Sequence, residues 1–284
     1  MLRPNFSPIG LKYLPDLTDR SGATRVVSAS NRLRSRDWRY LDLSQLPPTL
    51  CRQNARWTNG RANMLPFTTD QFFGVFASYN TAIWPAQIVA YLLGAVALWA
   101  IYAARSWSGH TVAAILATLW VWNGIAYHYA FFAPINPAAY GFAALFVLQG
   151  LLFFGYGTVA GRLRFVSGTG WRGLLGLVLI AYATFAYTVL GYFLGHTWPN
   201  LPIFGVAPCP TTIFTFGVLM LASGPLPLWI VAIPVVWAGI GASAAVLLNV
   251  PEDLGLLVSG LLGAAVLPYW GYSRPSPTPA GVRT

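Results

Sequence analysis

Between Ala82 and Trp270, 189 residues carry only six charged side chains, Arg105, Arg162, Arg164, Arg172, Glu252 and Asp253, and each of them lies between apolar runs. Hydrocarbon offers no water to backbone N–H and C=O groups, so uncharged runs of about 20 residues must bond internally as helices. The fold class that follows is an all-α integral membrane protein. Apolar segments cover residues 82–104, 111–133, 138–160, 173–194, 211–224, 228–248 and 254–270, which predicts a seven-transmembrane helix bundle over 82–270. The fifth and seventh, at 14 and 17 residues, are short for such a crossing.

Charged residues make up 8% of the chain, far below the roughly 25% of a soluble domain. The net charge of +10 is not one basic surface, because residues 1–63 hold eleven of the seventeen basic residues and four of the seven acidic ones. That stretch has no helical or alternating periodicity, contains Pro4, Pro8, Pro15, Pro47 and Pro48, and reads as a disordered basic extension. It offers no apolar signal core before Met64, and translation from Met64 is the expected start. No nucleic-acid partner is expected.

Short cytoplasmic loops retain arginine. Seven crossings with the N-terminus outside place Arg105, Arg162, Arg164, Arg172, Arg274 and Arg283 all inside, and Glu252 and Asp253 outside. A basic set that is all arginine apart from Lys12, with abundant Gly, Ala and Pro, suggests a GC-rich bacterial genome, so the expected location is a bacterial inner (plasma) membrane, multi-pass, with a cytoplasmic tail over 271–284. Before the first span, Thr68 and Gln71 have capping-box spacing, and Phe72, Phe73, Phe76 and Tyr79 share a face, so 64–81 is read as a short outer interfacial helix. Small residues four apart, such as Gly157 and Gly161, Gly241 and Ala245, or Gly255, Ser259 and Gly263, are expected to let helices approach closely.

Polar residues gather at the outer ends of the spans. His128 and Asn136 bracket spans two and three. His196 and Cys209 lie in the uncharged, proline-rich 16-residue loop Gly195 to Pro210, which is expected to pack on the bundle rather than extend into water. Thr211 opens the short fifth segment, whose first N–H groups and threonine hydroxyls are expected to face a cavity, as in the discontinuous helices of transporters. Asn123 and Gln149 either line a polar path or bridge helices. Asn249, Pro251, Glu252 and Asp253 have a plainer account as a helix cap, an opening proline and first-turn acids. His128, His196, Cys209, Glu252 and Asp253 are metal-capable types, but their separations of 68, 13, 43 and 1 residues match no ligand spacing, so no metal and no cofactor is assigned. The two cysteines, Cys51 and Cys209, make no disulfide framework.

The strings MLPFTTDQFFGVFASYN (64–80), WPAQ (84–87), YHYAFFAPINPAAY (127–140), GHTWPNLPIFGVAPCPTTIFTFG (195–217) and NVPEDLGLLVSG (249–260) resemble a bacterial membrane family of unknown function, over about residues 64–270. Its members are often labelled permeases of major-facilitator type, and the resemblance implies a transporter to that extent. A true major-facilitator protein has two six-span halves, which seven spans do not provide.

The leading expectation is a transporter of an uncharged or small solute, its outer vestibule formed by His128, Asn136, His196, Cys209, Thr211 and Asp253 under a lid made by the proline-rich loop. An accessory or sensor subunit with a membrane-protein partner is the alternative, favoured by the lack of charge within the spans. A membrane enzyme is the third reading, and no nucleophile with an adjacent base supports it.

Overall fold

The structure, a computed structural model, describes residues 65–165 and 170–269 and, apart from them, an antiparallel pairing of β1 (Arg25–Val26) with β2 (Leu41–Asp42). Contacts divide the chain into two units, residues 1–64 and 65–284. Apart from the β1–β2 pairing, the predicted basic extension and the Met64 start lie outside the described residues, as does the tail 271–284.

The second unit is helical. Helix α1 (Thr69–Ala82) begins with the predicted capping box: the Gln71 N–H donates to Thr68 Oγ1 at 3.2 Å and the Thr68 N–H donates to Gln71 Oε1 at 2.9 Å. Its aromatic face is not left for a lipid surface. Phe72, Phe76 and Tyr79 are buried against Tyr127, Phe131 and Phe132 at the end of the bundle.

Among the described residues four helices are long and apolar enough to cross a membrane: α2 (Ala86–Ala103), α4 (Ala139–Val159), α5 (Trp171–Phe193) and α7 (Leu228–Leu247), of 18, 21, 23 and 20 residues. Helix α2 leaves Ile88, Leu92, Val96 and Trp99 exposed along one stripe, an apolar surface suited to hydrocarbon. Seven spans are expected from the sequence, and four of the described helices have the length and composition of a span. Helix α3 runs through Ser108–Trp122 and continues with wider π-helical turns through Asn123–Phe132, but Asn123, His128 and several Trp and Tyr residues lower its hydropathy. Helices α6 (Pro208–Met220) and α8 (Leu254–Val266, preceded by the 3-10 turn Pro251–Asp253) have 13 residues each, about 20 Å against the roughly 30 Å of a hydrocarbon core.

Helix α6 is short because its segment is half helix and half irregular, turn-rich chain. The loop before it packs into the bundle, as its proline-rich, uncharged sequence predicts, and residues 201–208 are all buried. Backbone carbonyls outside a helix need donors there, and side chains supply them. Tyr79 Oη donates to Val206 O (2.9 Å), Asn80 Nδ2 to Pro199 O and Leu201 O (2.8 and 2.7 Å), and Asn123 Nδ2 to Gly205 O (3.0 Å). Gly205 has φ of +79°, and a Cβ there would sit 2.6 Å from the Ala90 Cβ, so conformation and space both require glycine. Helix α6 then descends through the middle of the bundle with every residue buried except half-buried Cys209.

Asn123 and Gln149 both bridge to backbone. Pro234 lies inside α7 and has no N–H, which removes the usual helical partner of the Ile230 carbonyl. Gln149 Nε2 donates to that carbonyl at 3.0 Å. At the opposite end of α6, Arg172 is buried and donates to Leu219 O (3.2 Å), and the Ser223 N–H donates to Arg164 O (2.8 Å). That end also carries Arg105, on the turn before Ser108, and Arg162. The glycine expectation holds for Gly157 against Ala113, Gly241 against Leu256, Gly255 against Tyr182 and Gly263 against Phe216, whereas Gly239 has open space around it.

Candidate functional site

At the end of the bundle away from Arg105, Arg162, Arg164 and Arg172, α1, α3, α6, α7 and the turn before α8 enclose a cavity of about 130 Å³. Four of the six predicted site residues line it: His128, Asn136, Cys209 and Asp253. The remaining wall is mostly aromatic and aliphatic, including Phe72, Tyr127, Phe132 and Trp237, with Leu65 and Phe67 also on it. Among the described residues no lysine or arginine lines the cavity. A second, larger depression of about 490 Å³ is an apolar groove on the outside of α3 and α4, lined by residues such as Ala117, Val121 and Gly150 and by no titratable side chain.

His128 is placed inward by the π-helical turns of α3, which bury the adjacent Tyr127 and His128 together. The imidazole is fully buried among rings, with centroids 4.7 Å from Phe146, 5.0 Å from Trp237 and 5.1 Å from Tyr127. Neither of its nitrogens has a hydrogen-bond partner among the described residues. Buried polar atoms are nearly always paired, so a histidine with both nitrogens unmet on a cavity wall is the most informative feature of the site. The Trp237 indole N–H is also buried, with the Cys209 sulfur beside it.

Asp253 stands on the 3-10 turn and is buried. Its Oδ1 accepts from Tyr187 Oη at 2.5 Å, and the Cys209 thiol is a second hydrogen-bond donor to it. Burial pushes its carboxyl up from the ordinary range to about 7; the Tyr187 and Cys209 hydrogen bonds act against this, and the neighbouring Glu252 charge adds to it. Glu252 is buried too, with Oε1 3.1 Å from His196 Nδ1 and Oε2 unpartnered. Pro251 opens the turn as predicted, but the cap is Val250, not Asn249, and the two acids face inward instead of serving as exposed first-turn charges.

Two predicted site residues stand outside the cavity wall. His196 is held by Glu252 and stacks on Phe73 at 4.1 Å. Thr211 is fully buried, and its hydroxyl donates to Ala207 O at 2.6 Å. Thr212 and Thr215 likewise bond back to carbonyls four residues earlier. The expected row of free donors at the start of α6 is therefore absent, because its threonine hydroxyls are used locally and Pro208 and Pro210 carry no N–H. Tyr127, Tyr187, Trp237 and Glu252 are site residues that sequence reasoning did not select. Glu252 was legible as the neighbour of Asp253, whereas nothing in an apolar span marks Tyr187 or Trp237 among so many aromatics.

Among the described residues no group of three or more His, Cys, Asp or Glu side chains is arranged to hold a metal. Residues 69–273 match the family described as a family of unknown function, DUF6064, and the chain belongs to that family. No curated protein and no solved structure matches it.

Proposed function

For this member of a family without an assigned activity, we propose a multi-pass plasma-membrane protein that binds a small solute in an outward-facing vestibule and carries it across the membrane. The observation that carries this reading is His128, both nitrogens unpartnered, on the wall of a cavity that also holds Cys209 and Asp253. The cavity lies at the end of the bundle away from the arginines, which by the positive-inside rule is the outer one. On this reading the chain crosses seven times, with the N-terminus outside and the C-terminus cytoplasmic: four crossings are helices of full length, the fifth is irregular chain followed by α6, and α3 and α8 complete the set. A half-helix meeting non-helical chain inside the bundle is a common way to build a solute site.

A second reading, an accessory or sensor subunit, is favoured by the apolar groove on α3 and α4 and by Asn123 and Gln149 bridging carbonyls rather than lining a path. The test is thermal unfolding of the purified chain against methylammonium, urea, ethanol and acetate, followed by uptake of the stabilising probe into proteoliposomes. Stabilisation with uptake supports a carrier. Stabilisation without uptake supports the sensor or accessory reading, and no stabilisation by any probe overturns the vestibule.

A further inference from the structure

At about 130 Å³ the cavity is close in size to an apolar cavity of about 150 Å³ that takes benzene, so its occupant is a molecule of about six non-hydrogen atoms or fewer. Its wall decides the sign of charge. An anion would meet the Asp253 carboxyl, and among the described residues no lysine or arginine lines the cavity to offset it. The start of α6 gives an anion little, since Pro208 and Pro210 remove two of its first three N–H donors. Glu252, next in sequence and buried with an unpartnered Oε2, adds negative potential. A neutral solute supplies no counter-charge, so Asp253 keeps its proton beside it, whereas a cation would hold Asp253 as the carboxylate.

A cation is met differently. The rings of Phe72, Phe76, Tyr127, Phe132 and Trp237 line the same space, and aromatic walls attract ammonium groups most strongly when water is excluded. The neutral His128 imidazole presents one acceptor nitrogen, which a ligand N–H can meet. We propose that the cavity takes a small organic cation, a primary or methylated ammonium, held between the aromatic wall and Asp253 with His128 as a hydrogen-bonding partner. This rests on the reading of the cavity as a solute site and adds the chemical class of the solute.

The test is calorimetric titration of the full chain in lipid nanodiscs with methylammonium and tetramethylammonium chloride, beside tert-butanol, sodium acetate and sodium chloride at matched ionic strength. Binding of one or both ammonium ions is expected, weakened at least tenfold in Asp253→Asn. Phe72→Leu is the second variant, should Asp253→Asn fail to fold, and severalfold weakening is expected there. Binding of tert-butanol or acetate without either ammonium ion overturns the cation class and leaves the vestibule reading standing. Ammonium binding that is unchanged in the variants overturns the assignment to Asp253 and the aromatic wall. Binding of none of the probes overturns both readings.

Discussion

Replacing His128 with phenylalanine should make the protein more stable and end its response to ligand. The imidazole is fully buried among Tyr127, Phe142, Phe146 and Trp237, an environment a phenyl ring satisfies as well. Its two nitrogens have no hydrogen-bond partner among the described residues, and leaving one such group unmet in a protein interior costs about 1–3 kcal/mol. Water entering the cavity offsets part of that, so the gain on substitution is set near about 1 kcal/mol, with a rise in melting temperature of at least about 2 °C for a chain of this size. The assay is thermal unfolding followed by tryptophan fluorescence, with and without a ligand that stabilises the wild type. A variant that melts below the wild type would refute the reasoning, because it would show that the His128 nitrogens are satisfied in the resting protein.

Three further outcomes follow from neighbouring features. Gln149→Ala should cost about 1 kcal/mol by freeing the Ile230 carbonyl, and should cost much less in a Pro234→Ala background, where an N–H returns to that carbonyl; equal losses in a double-mutant cycle would contradict the bridge. Asp253 keeps its proton in the folded chain up to about pH 7 and in the unfolded chain only to about pH 4, so its contribution to stability is full below about 4 and is lost as pH rises to about 7, with a slope of up to about 1.4 kcal/mol per unit. Asp253→Asn should flatten that slope in pH-dependent unfolding, and an unchanged slope would assign it elsewhere. Gly205→Ala should destabilise by a few kcal/mol, from a strained φ of +79° and the Ala90 contact, and wild-type melting would show that the loop is not packed as described.

The helical class, the segment positions and the packed proline-rich loop were legible because they follow from the absence of charge and the placement of proline. The number of full-length spanning helices was not, since a segment such as 195–220 shows only its composition, and the donors that let non-helical chain enter the bundle, Tyr79, Asn80 and Asn123, are distant in sequence. Four cavity residues were found as rare polar types at one end of the predicted spans. Thr211 and His196 were grouped with them on the same ground, but position along the membrane does not reveal whether a hydroxyl bonds to its own helix or whether an imidazole finds Glu252. The inward turn of His128 depends on π-helical geometry, which leaves no periodic mark in so apolar a segment.

The most direct test of the vestibule uses the chain's own thiol. With Cys51→Ser, Cys209 is the sole cysteine, and it lies on the cavity wall beside Asp253. A small membrane-impermeant cationic methanethiosulfonate is applied to right-side-out and to inside-out vesicles, and modification is read by mass spectrometry. Modification of Cys209 in right-side-out vesicles only is the predicted result. Modification in inside-out vesicles only, or in neither while the denatured chain reacts fully, would contradict a cavity open to the outer face.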